Sequence, residues 1–165
     1  MKNLSLITFI SLLILFSACS NSSVEPNITN GGGANLLIDE NLFNKLSTER
    51  LSGKTQYDPV KINSINRVDD SLVINITYSG GCKAHSFDFV WDGVVLESYP
   101  AQIYLLLAHS NNGDQCNDTI TETISIDLTL LFGSEYLDTA DYIISIFSLT
   151  NQTNICDADY VESNG

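Results

Sequence analysis

The sequence predicts an all-β domain folded as an antiparallel β-sandwich, with a small β-barrel as the alternative. Three observations lead to this prediction. Apolar and polar residues alternate strictly over 72–79, a short apolar run at 103–108 lies between turn residues, and turn signals separate segments without helical periodicity. Strict alternation is typical of a half-buried strand, and a short continuous apolar run suits a central strand that is buried on both faces.

The predicted strands follow one another at short intervals, and the turns between them carry recognisable signals. In chain order the strands are 60–68, 72–79, 87–91, 94–97, 102–109, 120–128 and 142–149. Asp92-Gly93 is a strong hairpin signal between the third and fourth strands. Residues 36–51 are expected to run from a strand into a short helix, and 130–141 to be irregular or briefly helical. About seven short strands match an immunoglobulin-like sandwich, whereas a barrel would show the same alternation.

The N-terminal residues differ from the rest of the chain. Lys2 precedes an apolar run of thirteen residues, 4–16, and a membrane-spanning helix needs about 20. A short apolar run behind a basic start predicts a signal peptide over residues 1–18. A buried core helix is the alternative, but such helices rarely begin uncapped at the extreme N-terminus.

The end of this segment, Leu15-Phe16-Ser17-Ala18-Cys19, resembles the lipobox of bacterial lipoproteins. That resemblance implies cleavage before Cys19 and attachment of diacylglycerol to its thiol. Phe16 departs from the pattern, which usually has Leu at that position. Ordinary cleavage after Ala18 would leave an N-terminal thiol without a role. Acyl chains contribute about 0.8 kcal/mol per buried CH2, so two or three of them hold a protein on a membrane without a spanning helix.

Removal of residues 1–18 would leave a mature chain of 147 residues, the size of one domain. We expect a lipidated Cys19 with a flexible Ser-, Asn- and Gly-rich tether over 19–35, a single β-sandwich domain over 36–150, and a polar acidic tail over 151–165. Twenty acidic and six scattered basic residues give the mature chain a formal charge of −14. Nucleic-acid binding requires clustered Lys and Arg, so this charge argues against a nucleic-acid partner.

Three cysteines remain after Cys19, and an oxidising compartment makes a disulfide the expected state for two of them. Cys82 ends one predicted strand and Cys116 closes the loop after another, so we predict a Cys82–Cys116 bond, with Cys156 as the odd thiol. Both histidines of the protein lie near these cysteines in sequence, His85 after Cys82 and His109 before Cys116. Strand directions place all four residues at one end of the sandwich.

Two cysteines and two histidines also suggest an alternative, a metal site that binds zinc or copper through Cys82, His85, His109 and Cys116. The spacing matches no established zinc finger, and an oxidising compartment favours a disulfide over thiolates. The simpler interpretation is a disulfide flanked by histidines that hydrogen-bond to loop backbone, with no cofactor. The nearby loop Asn111-Asn112-Gly113-Asp114 lacks the ligand pattern of a calcium loop and is expected to be a turn.

Catalytic signatures are absent from the sequence. No G-x-S-x-G, H-E-x-x-H, Walker-type or paired-glycine nucleotide motif occurs. Ser86 adjoins His85, but neighbouring residues on a strand point to opposite faces. The chain is therefore not expected to be an enzyme.

The segment Tyr78-Ser79-Gly80-Gly81-Cys82-Lys83-Ala84-His85-Ser86-Phe87, with the later stretch 109–116, resembles a group of uncharacterised Bacteroidota lipoproteins. The resemblance covers roughly residues 72–130 and implies a lineage and a compartment, but no reaction. We expect a membrane-anchored envelope lipoprotein, favouring the outer membrane, with its domain in the periplasm or at the cell surface. Its β-sandwich would act as a non-catalytic binding or interaction module for a protein or glycan partner.

Overall fold

The computed structural model describes residues 28–29, 34–133, 142–150 and 159–162. The predicted signal peptide, Cys19 and Cys156 lie outside these residues. In chain order the elements are β1 (Ile28–Thr29), β2 (Ala34–Ile38), α1 (Glu40–Ser52), β3 (Val60–Val68), β4 (Ser71–Gly80), β5 (Ser86–Trp91), β6 (Ala101–Ser110), β7 (Asp118–Asp127), α2 (Thr129–Phe132), β8 (Tyr142–Ser148) and β9 (Asp159–Glu162). Neither helix of this part of the chain is long and apolar enough to span a membrane.

The strands form two sheets, and the prediction of an all-β sandwich is confirmed. The larger sheet has the strand order β1-β2-β5-β6-β8-β9, and the smaller sheet has the order β3-β4-β7. Both orders are open, so the described strands do not close into the alternative barrel. The main core lies between the sheets and contains alternate residues of each, such as Ile74 and Ile76 of β4 and Phe87 and Phe89 of β5.

The smaller sheet is antiparallel, as predicted, but the larger one is mixed. Strand β2 pairs with β5 in parallel, and β6 pairs with β8 in parallel. Parallel neighbours cannot be joined by a hairpin and need a long crossover. The chain supplies these crossovers, because α1, β3 and β4 lie between β2 and β5, and β7 and α2 lie between β6 and β8. The expectation of purely antiparallel pairing is therefore wrong for the larger sheet.

The predicted return strand at 94–97 is also wrong. Gly93 has the positive φ of 81° that a turn requires, but the following residues form a loop instead of pairing with β5. Leu96 makes an isolated bridge with Gln102, and β5 pairs with β6. The nearly continuous apolar sequence of β6 competes better for the buried position beside β5 than the short segment 94–97 does.

The predicted strand-to-helix segment at 36–51 is confirmed, and it explains why β6 is buried on both faces. Helix α1 begins after Asp39, whose Oδ1 accepts a hydrogen bond of 2.8 Å from Leu42 N, and it ends at Gly53 with φ 66°. Leu46 of α1 packs on the outer face of the larger sheet against Leu106, Ala108 and other apolar side chains. This second, smaller core covers the face of β6 that points away from the sandwich interior.

Described strands also occur in the predicted flexible tether and in the predicted polar acidic tail. The predicted tether 19–35 contains β1, which pairs antiparallel with β2, and Ala34, which is buried. The predicted tail 151–165 contains β9, which pairs antiparallel with β8. Each of these strands extends an edge of the larger sheet.

Trp91 provides a test of the main core. It is 6% exposed, lies in the cluster between the sheets, and donates a hydrogen bond of 3.0 Å from Nε1 to Val94 O. We predict that Trp91→Ala lowers the free energy of unfolding by about 3 to 5 kcal/mol, because truncation leaves a large cavity. Urea denaturation measures the change. Leu51→Ala, at a position 69% exposed on α1, is the control and should change stability by less than about 0.5 kcal/mol. A loss below about 1 kcal/mol for Trp91→Ala would contradict the assignment of this face to the core.

Candidate functional site

The four residues singled out by the sequence lie together at one end of the sandwich, as the strand directions predict. Cys82, just after β4, and Cys116, just before β7, form a disulfide with a Cα–Cα distance of 5.8 Å, which confirms the predicted pairing. His85, just before β5, places its Nδ1 2.8 Å from Nε2 of His109, near the end of β6. His109 is 1% exposed, so the histidine pair lies at the inner end of the main core.

The sequence did not single out Asp114, the residue that connects these groups. Its side chain is 1% exposed. Oδ2 accepts hydrogen bonds from Cys82 N at 2.9 Å, Lys83 N at 3.0 Å and His85 Nε2 at 3.2 Å, and Oδ1 accepts one from Cys116 N at 2.9 Å. The hydrogen bond from Cys116 N, together with those from Cys82, Lys83 and His85, holds the pKa of Asp114 well below its usual range, although burial opposes this effect. Asp114 is therefore an ionised carboxylate with polar contacts to both half-cystine segments.

Only one of these contacts has a signal in the sequence. Asp side chains commonly accept a hydrogen bond from the backbone two residues later, which is the contact from Asp114 to Cys116 N. The loop around Asp114 is a turn, as expected. Asn111 Oδ1 accepts from Gly113 N at 2.8 Å, and Lys83 Nζ donates to Gly113 O at 2.8 Å. The polar groups of this loop thus bind one another and the segment after Cys82.

The hydrogen-bond partners of the two histidine rings determine how many ring nitrogens carry a hydrogen, and this number gives the charge of the pair. His109 Nδ1 lies 3.0 Å from the carbonyl oxygen of Pro59, which can only accept, so this nitrogen carries a hydrogen. His85 Nε2 faces the ionised Asp114 carboxylate and carries a hydrogen for the same reason. The contact between His85 and His109 needs one further hydrogen, because two lone pairs would otherwise meet at 2.8 Å. The two rings therefore share three protons and one positive charge.

The Asp114 carboxylate beside His85, together with the burial of His109, decides which ring is charged. Burial lowers the pKa of His109, and its hydrogen bond to the Pro59 carbonyl opposes that shift. His109 is thus the neutral ring, protonated on Nδ1, and His85 is an imidazolium that donates to His109 Nε2 and to Asp114. The positive charge of His85 lies beside the negative charge of Asp114, so the buried group is neutral as a whole. Buried charges are tolerated in proteins when they are paired in this way.

Aromatic rings and a glycine enclose the pair. Phe87 stacks on His109 with ring centroids 4.9 Å apart, and Tyr78 lies 4.5 Å from the His85 ring. Burial, followed by a 3.0 Å hydrogen bond to Glu122 Oε1, raises the pKa of Tyr78 to about 12. A Cβ atom at Gly80 would lie 2.5 Å from His85 Nε2, so only glycine permits this close approach.

The predicted metal alternative does not fit this arrangement. The sulfurs of Cys82 and Cys116 are bonded to each other and cannot act as thiolate ligands. The facing nitrogens of His85 and His109 are 2.8 Å apart, which leaves no space for an ion between them. The potential ligand atoms of Cys82, Asp114 and Cys116 lie within 4.8 Å of one another, but the backbone already occupies both oxygens of Asp114.

Two clefts of about 340 Å³ each border His109. The first opens between the start of β3, the end of β4 and the loop before β7. Its lining includes Lys61, Thr77, Tyr78, Asn111, Asp114 and Asn117. The second lies beside α1 and includes Lys45, Glu49 and Tyr57. His109 thus forms part of a wall between two surface clefts.

Reduction of the disulfide tests the coupling between this bond and the fold. The bond joins residues 34 apart in sequence, and the chain-entropy model gives about 3 to 4 kcal/mol for a loop of that length. We predict a loss of this size in urea denaturation after reduction with a phosphine. Peptide mapping without reductant should give a Cys82–Cys116 peptide, and a peptide joining either residue to Cys156 would contradict the pairing.

The neutral state of His109 predicts a pH dependence of stability. Because its folded pKa is lowered, the contribution of His109 is fully present above the unfolded value of about 6.5 and is lost as the pH falls through the folded pKa. Protonation would place a hydrogen on Nε2, facing the charged His85. The difference in the free energy of unfolding between the wild-type protein and His109→Gln should therefore shift against the wild-type protein as the pH falls from about 7.5 to 5, because the charge on His85 is common to both proteins. The carboxylates of Asp58 and Asp114 face the pair, and the pKa of Asp114, held well below its usual range by its hydrogen bonds, keeps that group ionised across this window. An identical pH dependence in both proteins would contradict the assignment.

Comparisons with known proteins give no family for this chain. No protein-family model and no curated protein matches it. Among solved structures, it is similar to a toxin-related protein from Parabacteroides distasonis, with 20% identity, 64% of this chain and 50% of that chain covered, and a TM-score of 0.46. It is also similar to a NigD-like immunity protein from Bacteroides caccae, with 18% identity, 84% of this chain and 67% of that chain covered, and a TM-score of 0.48. A third similar structure is a protein of unknown function from Bacteroides vulgatus, with 15% identity, 62% of this chain and 45% of that chain covered, and a TM-score of 0.40. The chain spans about half the length of the first and the last of these.

Proposed function

We propose that the chain is a non-catalytic binding module of the cell envelope, held to a membrane by lipid on Cys19, and that it binds its ligand in the first cleft. The observation that carries this proposal is the construction of the cleft. Its walls come from three separate segments. The disulfide and the hydrogen bonds of Asp114 join the segments after β4 and before β7, and hydrogen bonds from His109 and Asn111 hold the segment before β3. A site whose groups are held in place before binding loses less conformational entropy when the ligand arrives.

The lining of the cleft suits a polar ligand. Thr77, Ser79 and Tyr78 bring hydroxyl groups, and Asn111 and Asn117 bring amides. Such groups both donate and accept hydrogen bonds and can fix the orientation of a polar molecule. The volume of about 340 Å³ lies at the lower end of the range of about 300 to 1,000 Å³ that is usual for ligand pockets.

The chemistry of the described residues around the cleft supports binding rather than catalysis. A general base needs a free acceptor near the substrate. All four ring nitrogens of His85 and His109 already have partners in the fold. The sulfurs of Cys82 and Cys116 are oxidised, and Tyr78, with its raised pKa of about 12, stays protonated at neutral pH. The two histidines, the two cysteines and Tyr78 are thus each held in an unreactive state.

The direction of β1 supports an anchor at the opposite end of the domain. Strand β5 begins beside His85 and runs away from the cleft, and β2 runs parallel to it. Strand β1 is antiparallel to β2 and therefore runs toward the cleft end. The N-terminal end of β1 accordingly points toward the end opposite to the cleft. A membrane anchor upstream of β1 would leave the cleft facing away from the bilayer.

Binding in the cleft can be tested without a known ligand. Amide NMR spectra of the full chain in detergent would be recorded with a library of mono- and disaccharides and dipeptides. We expect the shift changes to concentrate at Thr77, Ser79, Asn111 and Asn117 and to disappear in Asn117→Trp, which fills the cleft. Changes confined to the second cleft, or unaffected by Asn117→Trp, would contradict the proposal. Glu97→Gln, in the loop at the opposite end, is the matched control.

The anchor has its own test. Cys19→Ser removes the thiol that would receive diacylglycerol, so this variant should keep its N-terminal segment and incorporate no radioactive palmitate in growing cells. The unmodified chain should be labelled and shortened. Normal labelling of Cys19→Ser would show that lipid is attached elsewhere or not through a lipobox.

A further inference from the structure

We propose that the outer face of the β3–β4–β7 sheet binds a neutral glycan chain that extends out of the first cleft. This inference rests on the proposed function and names its ligand class. The surface is defined by five residues, which we call the Asn/Thr face. They are Asn63, Asn75, Thr77, Thr121 and Thr123.

The strand period places these side chains on one side of the sheet. Ile74, Ile76 and Ile124 are fully or almost fully buried and point into the core between the sheets. Their neighbours Asn75 and Thr123 therefore point outward, because successive side chains on a strand alternate between the two faces. Neighbouring strands lie about 4.8 Å apart, so outward side chains on the three strands come within reach of one another, with Asn63 at the register shift of β3.

Hydrogen bonds hold the array in one arrangement. Asn63 Nδ2 donates to Asn75 Oδ1 and to Thr77 Oγ1, both at 2.8 Å. Thr77 Oγ1 lies 2.9 Å from Thr121 Oγ1, and Asn75 Nδ2 donates to Thr123 Oγ1 at 3.3 Å. The network crosses all three strands at the surface. Side chains ordered in this way before binding have little rotamer entropy left to lose.

The charge of the face differs from that of the protein. The whole chain has a formal charge of −13, yet none of the five residues of the Asn/Thr face is ionisable. Lys61 pairs with Thr77 and lies at the cleft, while Asp127 lies at the far end of β7. An anionic polymer would need a cluster of cations and would be repelled by the acidic remainder of the protein. The face therefore favours an uncharged partner.

The chemistry of the side chains favours a glycan over a protein. Threonine hydroxyls and asparagine amides donate and accept, as the hydroxyl groups of sugars do. Protein interfaces depend on buried aromatic, Met or Arg anchors, and they are depleted in small polar residues at their centre. None of the five residues is of the anchor type. A face of small polar groups is suited to a chain that presents many hydroxyl groups.

The face is continuous with the cleft. Thr77 belongs to the hydrogen-bonded network and also lines the cleft, and Ser79, two residues further along β4, lines it as well. One sugar unit in the cleft would thus place the following units over Thr77 and Thr121. The cleft would supply orientation and the face would supply additional hydrogen bonds along the chain.

Affinity electrophoresis of the full chain tests this inference with defined probes. Native gels would contain dextran, mannan, xylan or arabinogalactan as neutral polymers, or polygalacturonate as an anionic one. We expect retardation by at least one neutral polymer and none by polygalacturonate. The double variant Thr121→Val/Thr123→Val, which removes two hydroxyls without changing side-chain volume, should bind that polymer about three- to tenfold more weakly. Thr48→Val, at an exposed hydroxyl on α1, is the matched control and should bind normally.

Several results would overturn the inference. These are retardation by polygalacturonate alone, retardation by no polymer, or undiminished retardation of the double variant. Self-association that the double variant abolishes would assign the face to a second copy of the chain instead. Valine favours strands, so the variant should keep its fold, and its thermal midpoint would be measured alongside. If the cleft responds to small sugars in NMR spectra while the double variant binds polymers normally, the proposed function stands and this inference fails.

Discussion

The buried carboxylate of Asp114 is the group on which the cleft end of the domain depends. Four hydrogen-bond donors point at its two oxygens, and they belong to the segment after β4, to the segment before β7 and to His85. A carboxylate with so many donors must remain ionised, which fixes the charge of its neighbours. His85 carries the compensating positive charge. Its Nδ1 donates a hydrogen bond to His109 Nε2, and His109 Nδ1 donates one to the carbonyl oxygen of Pro59. One acidic group thus orders a chain of contacts from the disulfide to the start of β3.

This chain of contacts supports the proposed role of the cleft in binding. The disulfide limits how far the two half-cystine segments can separate, and Asp114 sets their relative orientation. The histidines are used as structural hydrogen-bonding groups, so none of their ring nitrogens is free to act in the cleft. The five residues of the Asn/Thr face next to the cleft are uncharged and hydrogen-bonded to one another. These features support the proposed role in binding.

Much of the fold could be predicted because it follows from local patterns. Alternation identifies β3, β4 and β7, the continuous apolar run identifies β6, and the predicted export makes the disulfide the expected state of Cys82 and Cys116. The parallel pairs could not be predicted, since alternation describes the faces of a strand and not its neighbour. The return strand at 94–97 was predicted from a good turn signal, but pairing is a competition and β6 buries more apolar surface. The connecting role of Asp114 could not be predicted, because three of its four contacts join it to residues about thirty positions away in the sequence.

The most direct test of this account is the protonation state of the two histidine rings. Long-range proton–nitrogen correlation spectra of the oxidised full chain, labelled with nitrogen-15 at histidine, report each ring nitrogen separately at neutral pH. We predict that His85 is protonated on both ring nitrogens and that His109 is protonated on Nδ1 alone, so that the pair carries three ring protons. Two neutral rings, or His109 protonated on Nε2 instead of Nδ1, would contradict it.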